Sequence, residues 1–283
     1  MTGALLIDKP SGPTSHDVVA RVRKLFGVRR VGHTGTLDPF ASGLLVVLVG
    51  RVTRLARFVE DREKTYLATA ELGVTTDTDD RTGQVTGGSA REVSDAELAA
   101  ALRSLSGVQQ QRPPAFSARH VDGQRSYQLA RRGVLLDLPP AQIEVHALEM
   151  MSRSGQLVTM RARVSRGTYM RGLARDLGQL LGTGAHLTEL RRECIGDLDV
   201  TDATPLGEVT GNTQLRPAAE MLAHLPAAQL SAGDAVAVRH GRAVPWTGES
   251  APAVALHAEG RLLGVARASA DQLQPVIVLE DPA

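Results

Sequence analysis

Residues 32–39 read Gly-His-Thr-Gly-Thr-Leu-Asp-Pro and end on a carboxylate, Asp38, that could serve as a base or a nucleophile. Gly32 and Gly35 permit backbone angles and close approaches that a side chain forbids. Pro39 fixes its own φ and drives Asp38 toward an extended conformation. The segment predicts a stiff loop holding one acid at a defined place. An Asp-Pro pair is also an ordinary turn signal, so the surroundings must decide between the two roles.

Three further segments surround that acid with candidate partners. Lys64-Thr65-Tyr66 opens a predicted strand directly after a basic helix. Ser165-Arg166-Gly167-Thr168-Tyr169-Met170-Arg171 reads as a strand-to-helix turn that presents Tyr169 and Arg171 at a helix N-terminus. Such a terminus attracts anions, so an arginine there calls for a nearby carboxylate or phosphate. Pro113-Pro114-Ala115-Phe116-Ser117-Ala118-Arg119 is followed by Gly123, Tyr127, Ala130, Arg131 and Gly133. The chain holds one Trp, three Tyr and four Phe, so rings at Tyr66 and Tyr169 amid arginines stand out. Flat rings beside guanidinium groups suit a flipped, stacked base; packing is the competing role for each ring.

Other chemistries lack their residues. Neither a Walker loop nor a Rossmann glycine fingerprint is present, and Gly-x-Ser-x-Gly is absent. The eight histidines are scattered without metal spacing. Cys194 is the single cysteine, which excludes an internal disulfide and a cysteine-rich zinc site. It reads as a small buried hydrophobe. The chemistry must therefore run on one carboxylate, with no metal or cofactor.

The elements that position these groups follow from periodicity. A short buried strand is predicted over 3–8, then a helix over about 16–26 capped by Ser15, with Val18, Val19, Val22, Leu25 and Phe26 on one face. The apolar run 44–49 predicts a core strand behind the Asp38 loop, and 51–60 a short helix. Residues 66–72 alternate as a strand with Tyr66, Ala68, Ala70 and Leu72 on one side. Residues 75–88 read as a polar loop, and Ser94 with Glu97 forms a capping box for a helix over about 95–105. Strands are expected at 143–150 and 157–164. A helix follows from about 169 to 181, with Thr168 as cap; Leu173, Leu177, Leu180 and Leu181 form its stripe, and Arg171 and Arg175 lie off it. A strand over roughly 186–192 closes the block. Composition shifts near 205–230, which places a boundary near 225. Beyond it, 236–238, 254–257, 262–267 and 274–279 read as strands of a small barrel.

A chain of 283 residues, 42% hydrophobic, suits one large domain or two unequal ones. No apolar run reaches membrane length, and the first residues lack the basic flank of a signal peptide; a cytoplasmic location is expected. The net charge of +1 hides basic clusters at 21–62, 112–132 and 161–192 and an acidic one at 71–97. Lys9, Lys24 and Lys64 are the lysines, so the positive charge is mostly guanidinium. Clusters of that kind predict one positive face that meets phosphates.

Taken together, these residues resemble the TruB family, the bacterial tRNA pseudouridine-55 synthases. The resemblance rests on Asp8-Lys9-Pro10-Ser11-Gly12, the segment 32–39, Lys64-Thr65-Tyr66, 113–118, 167–171, and Gly184-Ala185-His186-Leu187 through Leu190-Arg191-Arg192. It implies an α+β fold: a mixed, largely antiparallel sheet with flanking helices over 1–225, and a small PUA-like β-barrel over 226–283. It implies that Asp38 is the catalytic aspartate, paired with Arg171. Tyr66 would stack on the target uracil and assist proton transfer. Tyr169 and Leu190 would line the pocket, His33 would enter the T-loop, and Lys64 and Arg119 would contact substrate. Segment 112–140 would be an RNA-contacting excursion; Phe116 there replaces the family's usual Tyr, and Arg119 its common Lys. The substrate would be the T-arm stem-loop of tRNA, met by a monomer without an obligate protein partner. A tRNA-folding chaperone that does not need Asp38 and a guide-RNA-dependent synthase subunit are the alternatives.

Conversion of uridine to pseudouridine exchanges a C–N glycosidic bond for a C–C bond on the same base and sugar. It needs no redox agent. It needs an ionised carboxylate near C1′ and C2′, which a neighbouring guanidinium favours, and a pocket that retains the freed uracil. Extruding the nucleotide costs a few kcal/mol; ring stacking and phosphate contacts offset it.

Overall fold

The computed structural model describes residues 1–114 and 139–279, together with the backbone of 120–121 and 124–125. Strand β1 (Gly3–Lys9) leads into helix α1 (Ser15–Phe26), short strand β2 (Val31–His33) and core strand β3 (Ser42–Val49). A 3-10 turn over Gly50–Leu55 and the short helix α2 (Ala56–Glu60) stand where the sequence suggests one helix. Strand β4 (Lys64–Leu72) follows. The predicted polar loop carries a small hairpin, β5 (Thr75–Thr76) and β6 (Val85–Gly87). Helix α3 (Asp95–Ser104) and strand β7 (Gly107–Gln111) come next, then a two-stranded pair, β8 (His120–Val121) and β9 (Gln124–Arg125). Strands β10 (Ala141–Ser154) and β11 (Leu157–Val164), helix α4 (Met170–Leu181) and strand β12 (Ala185–Ile195) complete the central block, with β13 (Leu198–Asp199) and β14 (Thr204–Pro205) at its edges. The last segment contains β15 (Ala227–Gln229), α5 (Ala232–Arg239), β16 (Val244–Pro245), β17 (Ala251–Ala258), β18 (Arg261–Ala268) and β19 (Gln272–Val278).

Among the described residues the main sheet runs β14-β1-β3-β12-β4-β11-β10-β7, with β2 on β3 and β13 on β12. It is mixed and largely antiparallel; β1 with β14 and β3 with β12 are its parallel pairs. Strands β1 and β3 are buried on both faces because each is built on an apolar run, 4–7 and 44–49. Their alternate residues feed two cores. Leu5, Ile7, Leu45 and Val47 face the helices, while Ala4, Leu6, Leu44, Val46 and Leu48 face the other way. That second core also takes Leu55, Val59, Met221 and Leu222, and closes with Ala253, Ala255, Val265 and Ile277 of the C-terminal sheet. The C-terminal sheet runs β15-β17-β18-β19-β16, an open half-barrel consistent with a PUA-like unit.

Local chemistry explains where elements begin. Thr14 caps α1, and with Asp17 it forms a complete capping box. Ser15, the expected cap, is the first helical residue, and its hydroxyl is used elsewhere. Tyr169 occupies the N-cap of α4 in place of Thr168, and its side chain makes no capping bond. Leu180 is exposed and Arg171 is buried, so the inward face of α4 is rotated from the one the leucines suggest. Residues 236–238, expected as a strand, lie in α5, because the Ser231 hydroxyl accepts the Asp234 N–H and starts a helix there. Leu25, expected on the apolar face of α1, is partly exposed.

Candidate active site

The Asp38 loop is pinned from three sides. The buried Ser15 hydroxyl accepts the Leu37 N–H at 2.8 Å and donates to the Leu37 carbonyl at 3.1 Å. Lys9 is wholly buried and donates to the carbonyls of Pro10 at 3.0 Å, Pro13 at 2.9 Å and Pro39 at 3.5 Å. Arg192, also buried, donates to the carbonyl of Leu44 at 2.7 Å and to that of Gly35 at 3.1 Å. Position 43 must be glycine: its φ is +103°, and a Cβ there would lie 2.2 Å from the Arg192 carbonyl oxygen.

Sheet register brings the partners to this loop. Strand β12 lies between the strand that follows the acid and the strand that carries the tyrosine. Arg192 sits opposite Gly43 on one side and Tyr66 on the other, and Leu190 sits opposite Ala68. Helix α4 packs across β12 and β4 and points Arg171 inward. Its Nε donates to Asp38 Oδ2 at 2.9 Å and its Nη2 to Asp38 Oδ1 at 3.2 Å. Two parallel bonds of this kind fix orientation as well as charge. The Arg171 side chain is 5% exposed and that of Asp38 33%, so the carboxylate keeps an open face.

A second carboxylate stands behind the arginine. Arg171 Nη1 donates to the Thr78 carbonyl at 2.9 Å and lies 3.6 Å from Asp80 Oδ2. Asp80 is buried, and its Oδ1 accepts from the Thr78 hydroxyl at 2.9 Å, the Thr82 N–H at 2.9 Å and the Thr82 hydroxyl at 2.5 Å. A buried guanidinium needs such compensation. Farther along α4, Arg175 donates to Asp79 Oδ2 at 3.1 Å and to the Arg112 carbonyl at 2.8 Å. Sequence reading misses Asp80; it lies in a stretch that reads only as acidic loop.

Asp38, Lys64, Tyr66, Tyr169, Arg171 and Leu190 line one cavity of about 650 Å³. That volume falls in the range of small-molecule sites. His33 lies in β2 opposite Val47 and is not among the lining residues. Arg119 and Phe116 lie outside the described residues, as does most of the 112–140 segment. Burial, reinforced by Arg192, lowers the Lys64 ammonium to about 8; it donates to the carbonyls of Glu60 and, at 2.6 Å, Arg62. Burial also brings Lys9 down to about 8, against the opposing pull of Asp38.

The basic stretch 161–192 does not present a bare positive face. Arg161 pairs with Glu193 at 2.9 Å, Arg163 with Glu63 at 2.9 Å, Arg166 with Asp61, and Arg191 with Asp8 at 2.7 Å. Cys194 is only partly buried, and its thiol donates to Asp199 at 3.2 Å and is pushed up to about 12, chiefly by desolvation. Such a thiol is inert, in keeping with a structural role. Among the described residues no group of acids, histidines or cysteines could hold a metal ion, and no helix is long and apolar enough to cross a membrane.

Comparison with known proteins places this arrangement. Residues 23–170 match the TruB family pseudouridylate synthase N-terminal domain, 171–224 the tRNA pseudouridylate synthase B C-terminal domain, and 225–280 the tRNA pseudouridine synthase II C-terminal region. The tRNA pseudouridine synthase B of Thermobifida fusca is 44% identical, covering 98% of both chains. That of a Synechococcus strain is 43% identical over 98% of this chain and 97% of its own. Among solved structures, a Cbf5-Nop10-Gar1 complex superposes with a TM-score of 0.78 at 25% identity, covering 99% of this chain and 85% of the other. An H/ACA RNP bound to a substrate RNA containing 2′-deoxyuridine gives 0.77 at 23% identity, covering 99% and 86%.

Proposed function

The chain belongs to the TruB family of pseudouridylate synthases, and from that premise we propose that it converts the uridine at position 55, in the T-arm loop of tRNA, to pseudouridine. One observation carries the reading: the Asp38 carboxylate, held side-on by Arg171, opens into a cavity that Tyr66, Tyr169 and Leu190 also line. A flipped uridine placed there has its ribose at Asp38 and its base against Tyr66. The carboxylate then attacks C1′, or takes a proton at C2′, and the C–N bond breaks. The retained uracil turns and its C5 bonds to C1′ as the C1′–O bond to the carboxylate breaks or the C2′ proton is returned, after which C5 gives up its proton and N1 gains one. Arg171 holds the carboxylate aimed throughout, and the hydrogen-bonded Asp80 keeps Arg171 in place. Lys64 and Arg119 are proposed to contact substrate, and His33 to enter the T-loop. Residues 1–225 act as the catalytic domain and 226–283 as an RNA-binding unit, in a cytoplasmic monomer.

The test is pseudouridine mapping in tRNA incubated with the purified chain. Product at the T-loop uridine from wild type, and none from Asp38→Asn with tRNA binding intact, supports the reading. Product from Asp38→Asn at the wild-type rate refutes it. The structural likeness to a Cbf5 complex favours a second reading, a subunit that works on a guide RNA with protein partners. Activity of the isolated chain on a bare T-arm stem-loop excludes that reading.

A further inference from the structure

Gln111 is the last residue of β7, immediately before the 112–140 segment, and it is 2% exposed. Neither end of its carboxamide is spent on the sheet. Oε1 accepts the Tyr169 N–H at 2.8 Å, and Nε2 donates to the Tyr169 carbonyl at 3.0 Å. One side chain thus grips both polar groups of a single residue, in the manner of a neighbouring strand. That residue is the N-cap of α4, which no side chain of its own caps. The Tyr169 carbonyl also accepts the Leu173 N–H at 3.1 Å, so the first turn of α4 hangs from the same peptide. Space is reserved for the amide: a Cβ at position 172 would lie 2.9 Å from Gln111 Nε2.

We infer that Gln111 is a positioning residue for the reaction: its carboxamide sets the Tyr169 peptide, and through it the angle at which α4 delivers Arg171 to Asp38. Tyr169 lines the cavity and Arg171 lies two residues beyond it, so a tilt of this cap moves a wall and the guanidinium together. The adjacent residue adds a second tie, because the Arg112 carbonyl is held by Arg175, one turn farther along the same helix. The root of the 112–140 segment is thereby bonded to α4 at both ends of the turn that carries Arg171. The inference rests on the proposed synthase reading, because the reaction defines what Arg171 must be aimed at.

Two variants of the full-length chain test it. Gln111→Leu removes both bonds. Gln111→Glu keeps the shape and the acceptor, but it donates to the Tyr169 carbonyl only while its carboxyl is protonated, and burial raises the pH at which that proton is lost. On T-arm substrate, Gln111→Leu is expected to lower kcat about 10- to 100-fold, with a smaller change in KM from the displaced Tyr169 wall, the scale of a small misplacement of a catalytic group. The rate of Gln111→Glu relative to wild type is expected to rise about tenfold as pH falls from roughly 8 to 6, while Gln111→Leu shows no such recovery. A raised KM with wild-type kcat, or a Gln111→Glu ratio flat across pH, overturns the inference. Amide exchange gives a readout independent of turnover: the Tyr169 N–H is expected to exchange about tenfold faster in Gln111→Leu, with the amides of α3 unchanged. Equal exchange at Tyr169 refutes the clamp. Failure of the synthase reading shows instead as a wild-type chain that makes no pseudouridine.

Discussion

Arg171 holds Asp38 side-on through two bonds of 2.9 and 3.2 Å, and it does so from a buried position on a helix, while the acid comes from a loop. The guanidinium is the fixed member of the pair, and in the proposed reaction the carboxylate is the reactive one. Neutralising the acid while keeping its shape separates chemistry from assembly. Asp38→Asn is expected to lower pseudouridine formation by at least about 10³-fold, as loss of a reacting group does, with tRNA affinity held. Rate measurements beside filter binding decide it, and a wild-type rate removes Asp38 from the reaction.

Arg171→Lys keeps the charge and loses the fork. We expect kcat to fall about 100-fold, since a point charge cannot hold both carboxylate oxygens. Arg171→Met goes further and strands the buried Asp80, which is expected to cost about 3–5 kcal/mol of folding stability. Steady-state kinetics and urea denaturation read the two effects separately. Equal stability of Arg171→Met and wild type would mean that Asp80 does not need its partner.

The two buried lysines predict a dependence of stability on pH. Lys64 falls from 10.5 unfolded to about 8 folded, so between those values the unfolded chain binds more protons. Stability from this group therefore grows as pH rises from 8 toward 10.5, and it is lost as pH falls through 8. Lys64→Met lacks that slope. Between roughly pH 7.5 and 10, the unfolding free energy of wild type is expected to gain on the variant by on the order of 2 kcal/mol. Parallel pH curves would place the Lys64 ammonium in ordinary solvent.

The core shared by the main sheet and the C-terminal sheet predicts that the two melt together. Arg51 and Arg54 reinforce it by donating to the carbonyls of Leu279 at 3.2 Å and Val278 at 2.6 Å. Ile277→Ala opens a cavity in that core and is expected to cost about 2–4 kcal/mol, lowering a single calorimetric transition. Removal of the residues beyond 225 strips Ala253, Ala255, Val265 and Ile277 from that core and is expected to destabilise the catalytic block as well as weaken tRNA binding. Two separate transitions in the intact chain would refute the shared core.

Much of this arrangement is legible in the sequence. Alternation in 66–72 puts Tyr66 on the buried face, and an arginine at a helix N-terminus, where anions gather, calls for a carboxylate or a phosphate; the resemblance to the TruB family is what names Asp38. Asp80 escapes because its partner is remote in the chain and its neighbours are equally acidic. Gln111 escapes because a lone glutamine at a strand end carries no pattern. The arginines of 161–192 mislead for a related reason: charge is visible in a sequence, but the glutamates and aspartates that neutralise it come from β1, β12 and the turn before β4. Residues 236–238 mislead because alternating apolar residues also occur in a short helix, and the Ser231–Asp234 cap is the signal that discriminates.

Strand β3, into which the Asp38 loop leads, and its neighbour β1 are packed on both faces by different sets of side chains. Lys9 of β1 and Arg192, which bonds to β3, consequently tie the loop to strands that are held on both sides. On warming, such a catalyst is expected to keep its full aim until the entire molecule gives way, so loss of activity and loss of structure should fall on the same temperature.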